Sequence, residues 1–125
     1  MHAKLQAALI ILTLGAAAGC APLKVSRTVA LPGLPPVADA KTVEVVERLD
    51  DVKKPYQLVG KVTVWKAGSR LNPAESSGRI CAQAARMGAD GIIGLHTGYR
   101  GSLYSALAVK WLSPGEAPQP VQNPI

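Results

Sequence analysis

Between Lys41 and Leu112 the apolar positions fall into four strand-like runs and one helical stretch. Thr42-Val43-Glu44-Val45-Val46-Glu47 is rich in β-branched residues and is followed by the polar turn Asp50-Asp51 and by Lys53-Lys54-Pro55, which predicts a first strand. A second runs from Tyr56 to Lys66. Within it Val62 and Val64 share one face while Lys61, Thr63 and Trp65 share the other, the period of a half-buried strand. Gly60 interrupts that run and marks a bulge or a close backbone approach. Asn72 as N-cap, Pro73 at the first helical position and Glu75 at the third then predict a helix start, because each suits the free amides of a first turn. Ile80, Ala84 and Met87, with Cys81 and Ala85 beside them, form one apolar stripe, and Gly88 suits the left-handed position that ends a helix. Ile92, Ile93 and Leu95 predict a third strand and Ser102 to Leu112 a fourth, with Leu103, Leu107, Val109 and Trp111 on one face. The order β-β-α-β-β predicts an α+β fold, a four-stranded sheet carrying one helix on one face.

The flanks read differently. Residues 20–40 hold Pro22, Pro32, Pro35 and Pro36 without a steady apolar period and predict an extended linker, able to span as much as ~60 Å in polyproline II geometry. The tail 113–125 contains Pro114, Pro118, Pro120 and Pro124 and is expected to be disordered, or at most an extended ligand for a groove. That leaves 41–112 as the small folded domain. A core of that size is marginal, and self-association would add to it.

The start of the chain has the order of a secretory signal, with Lys4 in a short polar lead and an apolar run from Leu5 to Gly19. The run is shorter than the ~20 residues a membrane-spanning helix needs. It ends in Ala16-Ala17-Ala18-Gly19-Cys20, small residues ahead of a thiol. This pattern is similar to a bacterial lipobox with Ala17 in place of the usual leucine, so residues 1–19 are expected to be a signal peptide and Cys20 the lipid-bearing first residue. The competing reading is cleavage at Ala16-Ala17-Ala18 with Cys20 left as a plain thiol. Sulfur-linked diacylglycerol with an amide-linked third chain would hold the protein permanently, since two or more acyl chains suffice. Ala21 stands where an aspartate would favour the inner membrane, so the expected address is the outer membrane, facing the periplasm.

Losing Lys4 with the signal takes the formal charge from +6 to +5. Such an excess suits anionic head groups, or simply keeps a domain soluble. Nucleic acid is excluded as a partner by the exported location and by the lack of a basic cluster interleaved with aromatics. Lipidation of Cys20 leaves Cys81 without a partner for a disulfide, and its alanine-rich surroundings mark it as a buried small hydrophobe. His96 is the single histidine of the mature chain, and no His-x3-His or Cys-x2-Cys spacing accompanies it. His96 and Cys81 are thus only weak metal candidates, no cofactor is expected, and no acid, base and nucleophile set points to an enzyme. Trp65, on the face opposite Val62 and Val64, and Tyr99-Arg100, in the loop Gly98-Tyr99-Arg100-Gly101, have the composition of interface anchors. They are the candidate partner-binding residues.

Three stretches carry a resemblance: Leu58-Val59-Gly60-Lys61-Val62, then Ala82-Gln83-Ala84-Ala85-Arg86-Met87-Gly88-Ala89-Asp90-Gly91-Ile92-Ile93-Gly94, then Tyr104 with Ala106-Leu107-Ala108-Val109-Lys110. Over roughly residues 43–111 the chain resembles the YbjQ-type domains, whose family name refers to heavy-metal binding, and the Rcs stress-sensing outer-membrane lipoproteins. The resemblance implies a compact α/β fold, ring-like oligomers as in the first group, or partner-dependent envelope signalling as in the second. The Rcs sensors carry disulfides across the domain, and the lone Cys81 departs from that. Together these readings give as the expectation a non-enzymatic envelope lipoprotein whose periplasm-facing domain binds itself or another envelope protein, in stress sensing or signalling. The alternative is a metal- or small-ligand-binding domain using His96 and Cys81.

Overall fold

The structure, a computed structural model, describes residues 23–67 and 69–121; the expected signal segment and Cys20 lie outside them. Five strands and one α-helix follow in the order β1 (Lys24–Val29), β2 (Glu44–Val46), β3 (Tyr56–Trp65), α1 (Pro73–Arg86), β4 (Gly91–Gly98) and β5 (Leu103–Trp111). The strands form one mixed sheet in the order β1-β3-β5-β4-β2, antiparallel throughout except for the parallel pair of β2 and β4. The α+β class is the one the sequence predicts, with one strand more.

That extra strand comes from the segment expected to be a linker. β1 pairs with β3 along its whole length, from Lys24 opposite Trp65 to Val29 opposite Gly60. Five of its six residues are exposed, so it carries no buried face whose alternation the sequence could display. The proline-rich stretch that follows is also held. The Ala30 and Leu31 amides donate to the Val59 carbonyl at 2.8 and 3.1 Å, and the Val37 amide donates to Ala85 O at 2.7 Å. The last bond satisfies one of the carbonyls that a helix end leaves free. The folded unit therefore begins near Lys24 rather than Lys41, and residues 24–37 are not a free linker.

The helix starts as the sequence predicts. The Asn72 side chain accepts from the amides of Ala74 (2.9 Å) and Glu75 (3.2 Å), Pro73 is its first residue, and Gly88 beyond its end has φ +87°. Its apolar stripe packs Ile80, Cys81, Ala84, Ala85 and Met87 against Val62, Val64, Ile92, Tyr104, Ala106 and Ala108. Strand β3 is bulged between Leu58 and Gly60, and a Cβ on Gly60 would overlap Met87 Cε and the Thr28 carbonyl oxygen. Gly60 thus marks both a bulge and a close approach, and its bare backbone lets helix and β1 come together there.

The tail is the second departure. The described part of the tail, residues 113–121, is tied to β3 at one point: the buried Gln57 amide group donates to Gln119 O at 3.0 Å and accepts from the Gln119 amide. A side-chain amide that pairs both ways with the N–H and C=O of one residue holds that residue as a strand neighbour would. This part of the tail, expected to be disordered, is mostly exposed but tied to its own chain at Gln119.

Candidate functional site

Strand pairing aligns one row of residues across an end of the sheet: Lys24 of β1 opposite Trp65 of β3, Trp65 opposite Leu103 of β5, and Leu103 opposite Gly98 of β4. The turn Tyr99–Gly101 and the chain leaving β3 at Lys66 lie beyond that row. Trp65 is half-buried. With Lys66, Ala67, Tyr99, Ser102 and Leu103 it lines a mainly apolar hollow of about 420 Å³. Two of the residues singled out from sequence are therefore brought together, although 34 positions apart in the chain.

The turn that presents Tyr99 and Arg100 is unusual. Both residues have positive φ, 48° and 57°, a region that side chains with a Cβ seldom adopt. It is held by Ser102, whose amide (3.2 Å) and hydroxyl (2.8 Å) both donate to the Tyr99 carbonyl, and by Leu71, whose amide donates to Gly101 O at 2.8 Å. Tyr99 itself is 82% exposed. An aromatic side chain so little buried contributes nothing to the core, so the turn holds it out toward solvent at a cost in backbone energy. Arg100 lines a neighbouring depression with Arg70, Leu71 and Gly101.

The weak metal candidates are not brought together. His96 is exposed on β4, its Nδ1 at 3.0 Å from the Gly94 carbonyl oxygen, and lines a cleft of about 680 Å³ with Glu47, Pro73, Ala74, Ser77, Thr97 and Tyr104. Cys81 is buried on α1 and borders a different hollow, beside Lys41, Val43 and Val45. Burial pushes its thiol above the ordinary value, and a hydrogen bond with Ser77 only partly offsets this. Among the described residues no group of three or more histidine, cysteine, aspartate or glutamate side chains is placed to hold a metal ion.

Charge is distributed unevenly about the sheet. No carboxylate occurs in residues 23–38, 52–74 or 91–115, which include β1, β3, β4, β5 and the loops at the Trp65 end. Glu44, Glu47, Asp50 and Asp51 cluster instead on and after β2, at the opposite edge. Lys24, Lys66 and Arg70 join Trp65 and Tyr99 at the end of the sheet, and sequence reasoning missed all three. Recognising Lys24 required knowing that residues 24–29 form a strand, and Lys66 and Arg70 carry no signal except their place in the fold.

Comparison with known proteins finds no family model that matches the chain and no curated protein or solved structure significantly similar to it. The likeness to the YbjQ-type and Rcs-type domains accordingly stands on its motif residues alone. Among the described residues no helix is long and apolar enough to cross a membrane.

Proposed function

We propose that this chain is a lipid-anchored, non-enzymatic binding module of the bacterial envelope, tethered through Cys20 and making its contact through Trp65, Tyr99 and Arg100. The convergence of Trp65 and Tyr99 on one apolar hollow is the observation that carries this reading. Aromatic side chains beside an arginine, with their apolar surface open to solvent, are the composition of contact anchors. The signal-like start and the small residues before Cys20 supply the tether. No specific observation favours the metal-binding alternative, since His96 and Cys81 border separate hollows.

Two measurements on cells making the full chain test this. Labelled palmitate should enter the protein and be lost in Cys20→Ser. A photoreactive side chain at position 99 should crosslink strongly in the envelope, whereas the same group at position 53, before the opposite end of β3, should not. Absence of label, or equal crosslinking from both positions, overturns the reading.

A further inference from the structure

The expected linker was long enough to carry the domain well away from a bilayer, and the fold removes that reach. Only three residues stand between Cys20 and Lys24, the first residue of β1. Fully extended, that connection spans at most ~14 Å. An anchor at Cys20 therefore brings one particular part of the fold to the membrane: the start of β1, which lies directly opposite Trp65. The row from Lys24 through Trp65 and Leu103 to Gly98, with the Tyr99-Arg100 turn beyond it, belongs to the same end of the sheet.

The chemistry of that end fits a lipid surface. Lys24, Lys66, Arg70 and Arg100 are cationic, Trp65 and Tyr99 are aromatic, and the strands and loops they stand on contain no carboxylate. Arg70 reaches the turn itself: its Nε would stand 3.3 Å from a Cβ on Gly101. Tryptophan and tyrosine favour the head-group level of a bilayer, where an apolar ring and a polar edge are both accommodated. Lysine and arginine beside them gain from the negative potential of a leaflet containing anionic phospholipid. A surface of this composition would also suit an acidic protein, but the short tether turns it to the bilayer first.

Resting on the Cys20 reading above, we infer that the partner of the Trp65–Tyr99–Arg100 surface is the anionic phospholipid leaflet that holds the anchor. The domain lies on that leaflet by the Trp65 end of its sheet. The carboxylates of the β2 edge are left on other parts of its surface.

The test uses the mature chain from residue 20 with Cys20→Ser, so that no acyl chain contributes, and vesicles of phosphatidylcholine with or without phosphatidylglycerol. Binding should require phosphatidylglycerol. Each of Lys24→Gln, Lys66→Gln and Arg100→Gln should weaken it by about five-fold. Lys53→Gln and Lys110→Gln make the same change in net charge away from this end and should leave it nearly unaltered. Brominated phosphatidylglycerol should quench a fluorescence component that disappears in Trp65→Phe, while circular dichroism confirms that each variant is folded. Equal binding to both kinds of vesicle, or equal losses from the two sets of lysine variants, overturns the inference. If palmitate enters at Cys20 and position 99 crosslinks, but only to a protein and with no vesicle binding, the inference fails and the binding-module reading stands. If no palmitate enters, that reading fails and takes the inference with it.

Discussion

Tyr99 and Arg100 hold the left-handed backbone at φ 48° and 57°. A Cβ in that region is crowded by the neighbouring carbonyl and costs about 1–2 kcal/mol per residue. Asparagine and glycine escape most of that cost. Replacing the pair by Tyr99→Asn with Arg100→Gly should therefore raise the unfolding free energy by about 1–2 kcal/mol, read from the denaturant midpoint, while weakening binding to anionic vesicles. A loss of stability would show that the present side chains contribute more than they strain. The sequence made the position of these residues in a loop legible through Gly98 and Gly101, and their composition suggested a contact. It could not reveal the backbone hand, because neither residue type signals positive φ; the hand follows from closing β4 onto β5 and from the bonds to Ser102 and Leu71.

At the level of elements, legibility follows the range of the determining interactions. The helix start could be read from Asn72, Pro73 and Glu75 because capping is settled within one turn, and its stripe from Ile80 to Met87 because one face is buried. Strand β1 and the docked tail could not. β1 is an edge strand exposed on most of its length, and the tail is fixed by a pairing of Gln57 with a residue 62 positions away. Gly60 is where these long-range elements meet. A Cβ there would collide with a backbone oxygen of β1 as well as with a methionine that could move aside, so the strand rather than the side chain must yield. Gly60→Ala should lower stability by about 1–3 kcal/mol and release β1 first, giving faster amide hydrogen exchange from Lys24 to Val29 than in the helix. Uniform acceleration over both elements would show that β1 is no separate unit of opening.

For the whole molecule, strand order and charge together give the fold a direction: a cationic, aromatic end reached first by the chain, and, across the sheet from β1, an edge of mixed charge where Arg48 and Lys54 pair with Asp50 and Glu44. All of this rests on a single helix-to-sheet core, and Cys81 is the titratable group in that core whose ionisation is clearly opposed. The thiol is held neutral by burial, so its folded value lies above the ordinary 9.0. In the unfolded chain it ionises on passing 9.0, whereas in the folded chain it keeps its proton to higher pH. The unfolded state then binds fewer protons, and the linkage slope is negative: stability is unaffected by this group below that range and falls as pH rises through it. Other groups titrate there as well, so the measurement is the difference between the wild type and Cys81→Ala. Denaturant unfolding from pH 7 to 10 should show a gap that is constant on the acid side and shrinks, or reverses, on the alkaline side. A gap independent of pH would mean that the thiol is as free to ionise in the folded core as in the unfolded chain, and that the helix packs over it less closely than the structure places it.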